Sequence, residues 1–144
     1  MLIWIVLALV VAMMAYIRLA PSDPARWNRP APYEGLENRN LGAGYVWRAP
    51  VGSDAEGLAL LARLAQIAEG TARTELLTGS PEAGQLTVVT RSKLMGFPDY
   101  TTFSLRQTPE GQPYVEMFGR SRFGRSDLGV NAKRLRGWAA ALDR

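Results

Sequence analysis

Six cations crowd one loop and the helix that follows it. In GRSRFGRSDLGVNAKR, Gly119 to Arg134, and the turn just beyond, Arg120, Arg122, Arg125, Lys133, Arg134 and Arg136 stand against a single acid, Asp127. Guanidinium groups take carboxylate or phosphate oxygens two at a time. The free N–H groups at a helix start add to the attraction for an anion. Gly119 and Gly124 allow backbone conformations that a side chain would forbid, and Ser126 or Asp127 supplies a cap for the next helix. Two roles follow from these residues. Arg120, Arg122, Arg125, Ser126, Lys133 and Arg134 could seat an anionic lipid, a partner surface or a small ligand. Alternatively, Asp127 pairs with Arg91, Arg120 or Arg125 and, with Asn131, locks the last strand to the last helix. The spacing is not that of a phosphate-binding GxxxxGK[ST] loop, and no aromatic side chains alternate with the cations as in an RNA-binding strand.

A second candidate is KLMGFPDY, Lys93 to Tyr100. Met95 and Phe97 lie in a connection, where an apolar tip can enter a membrane interface or a groove on a neighbour. The plainer reading folds Phe97 back into the core with Pro98 shaping the turn. Asp99 invites an acid–base role, although a single loop carboxylate is ordinarily a turn residue.

The rest of the inventory is poor in reagents. The 144 residues include no cysteine and no histidine. Thiol nucleophiles, disulfides and thiolate zinc sites are thereby excluded, and so are the Ser–His and Cys–His machineries. The 13 acidic residues form no metal-type cluster in sequence. An enzyme is therefore the least favoured class, and no cofactor, metal or nucleic acid is expected. The net charge of +4 is a mild bias, compatible with an anionic surface.

These residues need elements to position them. MLIWIVLALVVAMMAYI, Met1 to Ile17, carries no charged side chain, and Arg18 ends the run. A span needs roughly 17–25 mostly apolar residues, and Trp4 and Tyr16 stand where amphipathic rings favour an interface. A cleaved leader would need a basic start and a small-x-small site. No cation precedes the run, and at Ala20 the −3 position is Arg18 and the next residue Pro21. Residues 1–18 are thus expected to be a retained single-pass transmembrane anchor. Residues 19–52 form a Pro-rich tether, with Trp27, Tyr33, Tyr45 and Trp47 available to cap the core or touch lipid. Residues 53–144 form an α+β domain.

Within that domain, Ser53 and Glu56 have capping-box spacing, and Leu58, Leu61, Leu64, Ala65 and Ala68 recur at helical spacing up to Gly70. Four strands are predicted: Thr71 to Leu77, Gln85 to Ser92, Tyr100 to Arg106 and Pro113 to Phe118. They alternate so as to give an antiparallel sheet covered on one side. A helix from about Val130 to Leu142 puts Asn131, Leu135, Trp138 and Leu142 on one face, with Lys133, Arg134 and Arg136 pointing elsewhere. The order is anchor, helix, four strands, helix.

Arg91-Ser92, Gly96-Phe97-Pro98-Asp99, Arg120-Ser121 and SDLGVNAKR, Ser126 to Arg134, together resemble an uncharacterised bacterial and plastid family, domain of unknown function 1499. The resemblance covers roughly residues 54 to 142, and SDLGVNAKR is its most specific part. It implies membrane tethering, with the soluble domain facing outward into the periplasm, and it brings no established activity. Many members carry an early Pro-Asn-Cys-type segment, from which this chain departs. Arg18, Arg26 and Arg29 argue the opposite orientation by the positive-inside rule. The function expected is a non-catalytic accessory protein of a bacterial inner-membrane assembly, an energy-transducing complex being one host. It would have membrane lipid and a protein of that assembly as partners. The alternatives are a binder of an anionic lipid or small amphiphile and, more weakly, an envelope enzyme.

Overall fold

The computed structural model describes residues 1–144. The uncharged opening forms helix α1, Leu2–Leu19. Its mean hydropathy is 2.4, and only 6% of it is buried, so it is not a core helix of the domain. It is long and apolar enough to cross a membrane by length and composition. Only its last turn meets the rest of the chain, where Ile17 and Ala20 are buried.

Helix α2, Pro24–Trp27, is a single turn capped by Asp23. Helix α3, Asp54–Glu69, starts as the capping-box spacing requires: Ser53 Oγ accepts from the Glu56 N–H at 3.2 Å. The Glu56 carboxylate reaches back to the Gly52 N–H rather than to that of Ser53. Its buried stripe is Leu61, Leu64, Ala65 and Ala68. Helix α4, Val130–Ala141, buries Asn131, Ala132, Leu135 and Trp138. Both helices lie on one face of a sheet, against Leu86, Val88, Phe103, Val115 and Met117.

The sheet has six strands rather than four. They are β1 (Arg39–Asn40), β2 (Gly44–Pro50), β3 (Thr74–Ser80), β4 (Gln85–Arg91), β5 (Pro98–Gln107) and β6 (Pro113–Ser121), in the order β1-β2-β6-β5-β4-β3. Every neighbouring pair is antiparallel. The two added strands come from the segment expected to be a tether. There GYVWRAP alternates in a region whose many prolines, five between Pro21 and Pro50, mask a strand signal. Gly44 to Pro50 pairs with β6 from Arg120 to Tyr114. Strand β3 begins three residues later than predicted, because Thr71 still closes α3 by donating to the Ile67 carbonyl at 3.0 Å.

The expectation of a sheet covered on one side is also corrected, since residues 21–33 cover the second face. The Trp27 ring stacks on Tyr100 at 3.9 Å and 8°. The carbonyl of Trp27 accepts from Arg120 and Thr102, that of Asn28 from Gln85, and those of Ala31 and Tyr33 from Arg106. At the centre of this face, Glu116 is fully buried. It pairs with Arg48 at 2.7 Å and Arg106 at 3.0 Å, and accepts from the Ala31 N–H at 2.8 Å. Backbone that would otherwise lose its water is thereby satisfied by side chains of the sheet.

The strand directions give the domain two ends. Arg91, Pro98 and Ser121 lie at the end that meets α1, and the turns Pro81–Gly84 and Thr108–Gln112 lie at the other. Ten residues of β5 separate these ends by about 30 Å.

Candidate functional site

At the end of the sheet nearest α1 the strands and α4 splay around an open cavity of about 660 Å³. Residues that are far apart in sequence gather there: Arg91 and Ser92 from the end of β4, Phe97 and Asp99 from the start of β5, Ser121 from the end of β6. Ser126, Asp127 and Arg134 complete the set from the loop and α4. The motif segments singled out in the sequence thus line one space.

Its floor is polar and tightly held. Asp99 pairs with Arg134 at 3.0 Å, and the same Nη1 donates to Asn131 Oδ1 at 3.0 Å. Beside them the Thr74 and Thr90 hydroxyls share a hydrogen bond of 2.9 Å. Asp127 does not pair with Arg91, Arg120 or Arg125. Its carboxylate accepts from the Gly129 N–H at 2.9 Å, the Asn131 N–H at 3.1 Å and Asn131 Nδ2 at 2.8 Å. Asp127 therefore caps α4 from two residues before its N-cap position, Gly129, which has no side chain to do so. Burial raises its carboxyl pKa, but the Asn131 and backbone hydrogen bonds outweigh burial and hold it below the ordinary 3.8. Asn131 is fully buried because Gly119 has no side chain: a Cβ there would stand 2.8 Å from Asn131 Oδ1 and 3.0 Å from Leu135 Cδ1. The sheet-to-helix lock exists, but it runs Asp99–Arg134–Asn131–Asp127. The first link joins residues 35 apart, too distant for spacing to reveal.

The walls are apolar and strained. Phe97 and Phe123 face each other across 6.3 Å, and Phe123 meets Tyr16 of α1 edge-on at 6.2 Å. Leu128 is 93% exposed on the rim. Only two residues other than glycine have a left-handed backbone, Arg73 at φ 57° and Leu128 at φ 53°. Both line this cavity. Such strain costs of order 1–3 kcal/mol per residue and gathers where a binding geometry demands it.

The remaining cations of the basic loop diverge. Arg120 turns to the second face of the sheet and donates to Thr102 Oγ1 at 2.7 Å, to the Phe118 carbonyl at 3.0 Å and to the Trp27 carbonyl. Burial lowers its pKa to about 10, so it is charged at neutral pH. Arg122 donates to the Pro21 carbonyl at 3.0 Å and to the Tyr100 hydroxyl at 3.3 Å. These two arginines bind the chain's own residues 21–27. Arg125 and Lys133 are exposed, and neither forms an ion pair. Arg91 donates to the carbonyls of Gly96 at 3.1 Å and Ile17 at 3.5 Å, joining β4 to the last turn of α1. In the 93–97 loop, Leu94 is 81% exposed and Met95 half-buried, while Phe97 stands in the cavity wall instead of the core.

Sequence reasoning passed over Arg73, Thr74, Thr90 and Phe123. Thr74 and Thr90 are ordinary strand residues by type, and only the β3–β4 pairing brings them together. No group of three acidic side chains converges as metal ligands do.

No curated protein matches the chain. Among solved structures, the crystal structure of Mll3558 protein from Rhizobium loti is similar at 14% identity and a TM-score of 0.32. The alignment covers 91% of this chain and 83% of that one. The motif residues that meet in the cavity are matched together by one family, described as protein of unknown function (DUF1499), over residues 21–142. That stretch begins at the strap over the second face rather than at α3, and this chain belongs to the family.

Proposed function

We propose that the protein is a non-catalytic, single-pass membrane-anchored binding module whose motif cavity holds one end of an amphiphile at the membrane surface. The carrying observation is the cavity's make-up and place. Its floor is the Asp99–Arg134 pair, its walls are Phe97, Phe123 and Leu128, and Phe123 touches the last turn of α1. An apolar wall with a few convergent polar groups is what small-molecule sites share. Retention of the anchor is supported by Ile17 and Ala20, which are buried, and by Arg91, which bonds the Ile17 carbonyl. Cleavage near Ala20 would strip those contacts. The non-catalytic reading is supported by the two cavity carboxylates: Asp99 is held in an ion pair and Asp127 is a helix cap with a lowered pKa. Neither resembles a poised general acid. The compartment proposed for the domain is the periplasmic side of a bacterial inner membrane.

Native mass spectrometry of the full chain in mild detergent tests the reading. Wild type is expected to carry one bound amphiphile per chain. Ala72→Trp, which fills the cavity from an exposed position, is expected to lose it without loss of fold. Wild type free of any bound amphiphile would end this reading.

A second reading, an accessory subunit docked on a larger membrane assembly, is favoured by Leu128 and Val130, exposed side by side on the cavity rim. The occupant would then be a partner's side chain. Migration of the mildly solubilised protein at monomer mass would contradict it.

A further inference from the structure

Beside the motif cavity, on the other side of Arg73 and Arg91, lies a second cleft of about 460 Å³. Arg18, Arg73, Arg91 and Lys93 line it with Ser92, against one acid, Glu75. This excess of cations is distinct from the basic loop, none of whose residues reaches the cleft. The three arginines are also held in place, while Lys93 is exposed. Arg18 Nη2 donates to the Leu94 carbonyl at 2.9 Å. Its aliphatic stem lies against Gly96, where a Cβ would stand 3.0 Å from Arg18 Cγ. Arg73 Nε donates to the Arg91 carbonyl at 3.1 Å, and Arg91 Nη1 to that of Gly96 at 3.1 Å. Each guanidinium keeps further donors that no carbonyl takes. Arg73, whose backbone is left-handed, lines both spaces.

The cleft lies at the foot of α1. Arg18 is the first charge after seventeen uncharged residues, which span about 25 Å as helix. In a membrane crossed by α1, Arg18 stands at the headgroup layer, and the cleft that it lines opens there. We propose that this cleft binds the phosphate of an anionic phospholipid of the surrounding leaflet, with Arg18, Arg73 and Lys93 as the ligating cations. The assignment rests on the retained anchor; Arg73 is shared with the motif cavity, and Ala72, which lines only the motif cavity, separates the two. Basic pockets at helix ends take lipid headgroups in this way, and the bond holds the domain down so that the cavity faces the interface.

The test is lipid retention by the full chain in detergent, followed by native mass spectrometry with phosphatidylglycerol and phosphatidylcholine of identical acyl chains. Wild type is expected to prefer phosphatidylglycerol on the order of tenfold or more. The variant Arg18→Gln, Arg73→Asn, Lys93→Gln is expected to lose that preference. Asn tolerates the left-handed backbone, and the circular dichroism and melting of the variant should match wild type. A control, Arg125→Gln, Lys133→Gln, Arg144→Gln, removes the same charge from exposed positions outside the cleft and should keep the preference, as should Ala72→Trp. Equal retention of both lipids by wild type, or an unchanged preference in the cleft variant, overturns the proposal. Displacement of the lipid by millimolar inorganic phosphate would also overturn it, since the cleft would then read free phosphate. The anchor is checked separately by the intact mass of the mature chain: loss of residues 1–20, Arg18 among them, would overturn both the anchor reading and this proposal, whereas a lost lipid preference in a chain of full mass would overturn this proposal alone.

Discussion

One six-stranded sheet carries two coverings built on opposite principles. On the helix side, Leu61, Leu64, Leu86, Phe103, Met117 and Leu135 exclude water from one another, and the polar network of Asp99, Arg134, Asn131 and Asp127 sits at the end nearest α1. On the strap side, Thr102, Glu116, Arg48, Arg106 and Arg120 present donors and acceptors to a Pro-rich backbone, Thr87 bonds the Asn28 side chain, and the strap's own backbone bonds are those around the single turn of α2. The first covering is non-directional and tolerates rearrangement. The second depends on each hydrogen bond being made, because an unpaired buried charge costs far more than a lost methyl group. A segment poor in helix or strand propensity can thus still be a structural layer, provided that the sheet beneath it supplies the hydrogen bonds.

The largest expected effect comes from breaking the polar covering at its centre. Glu116→Ala leaves Arg48, itself almost fully buried, without its partner, and should destabilise the domain by about 3–5 kcal/mol. Denaturant unfolding of the full chain in detergent measures it. Proteolysis should then cut first between Pro21 and Tyr33. Leu61→Ala, at the centre of the apolar covering, is expected to cost about 2–5 kcal/mol and to leave the strap protected. Equal exposure of the strap in both variants would mean that the two faces are not held separately.

A smaller effect is expected at the start of α4, beside the motif cavity. Asp127→Ala should cost about 0.5–2 kcal/mol. The folded carboxyl titrates below 3.8, so on acidification the unfolded chain takes up its proton first. The contribution of Asp127 is therefore complete above about pH 4 and is lost as pH falls below it. Asp127→Ala should flatten that part of the acid-stability curve, and an unchanged curve would remove Asp127 as the cap. The smallest effect is assigned to Arg125→Ala, within about 0.5 kcal/mol, because the side chain is exposed and forms no ion pair.

The helix side was largely legible in the sequence. Ser53 and Glu56 announced α3, and the alternation in β5 and β6 announced an antiparallel sheet, because these signals are local. The strap side was not. GYVWRAP lies among prolines that ordinarily forbid a central strand, and nothing near Trp27 or Ala31 in sequence hints at Arg120 or Glu116. The same division holds at the site. The basic loop and GFPD segment were visible as motifs, and they do meet. Which cations face the cavity was not visible, since Arg120 and Arg122 turn away to the strap while Arg134 finds Asp99 from the next helix. Arg73 gave no signal at all, because its distinction is a backbone angle.

The absence of native cysteine allows the central claim, that the motif cavity opens at the membrane surface, to be measured directly. Single cysteines at Leu94, Leu128, Ala83 and Gly111 would carry an environment-sensitive fluorophore in the full chain, reconstituted into vesicles with quencher-bearing lipids. Quenching at Leu94 and Leu128, beside the foot of α1, with none at Ala83 and Gly111 about 30 Å away, is the expected result. Equal quenching at all four, or quenching at the far turns alone, would contradict it.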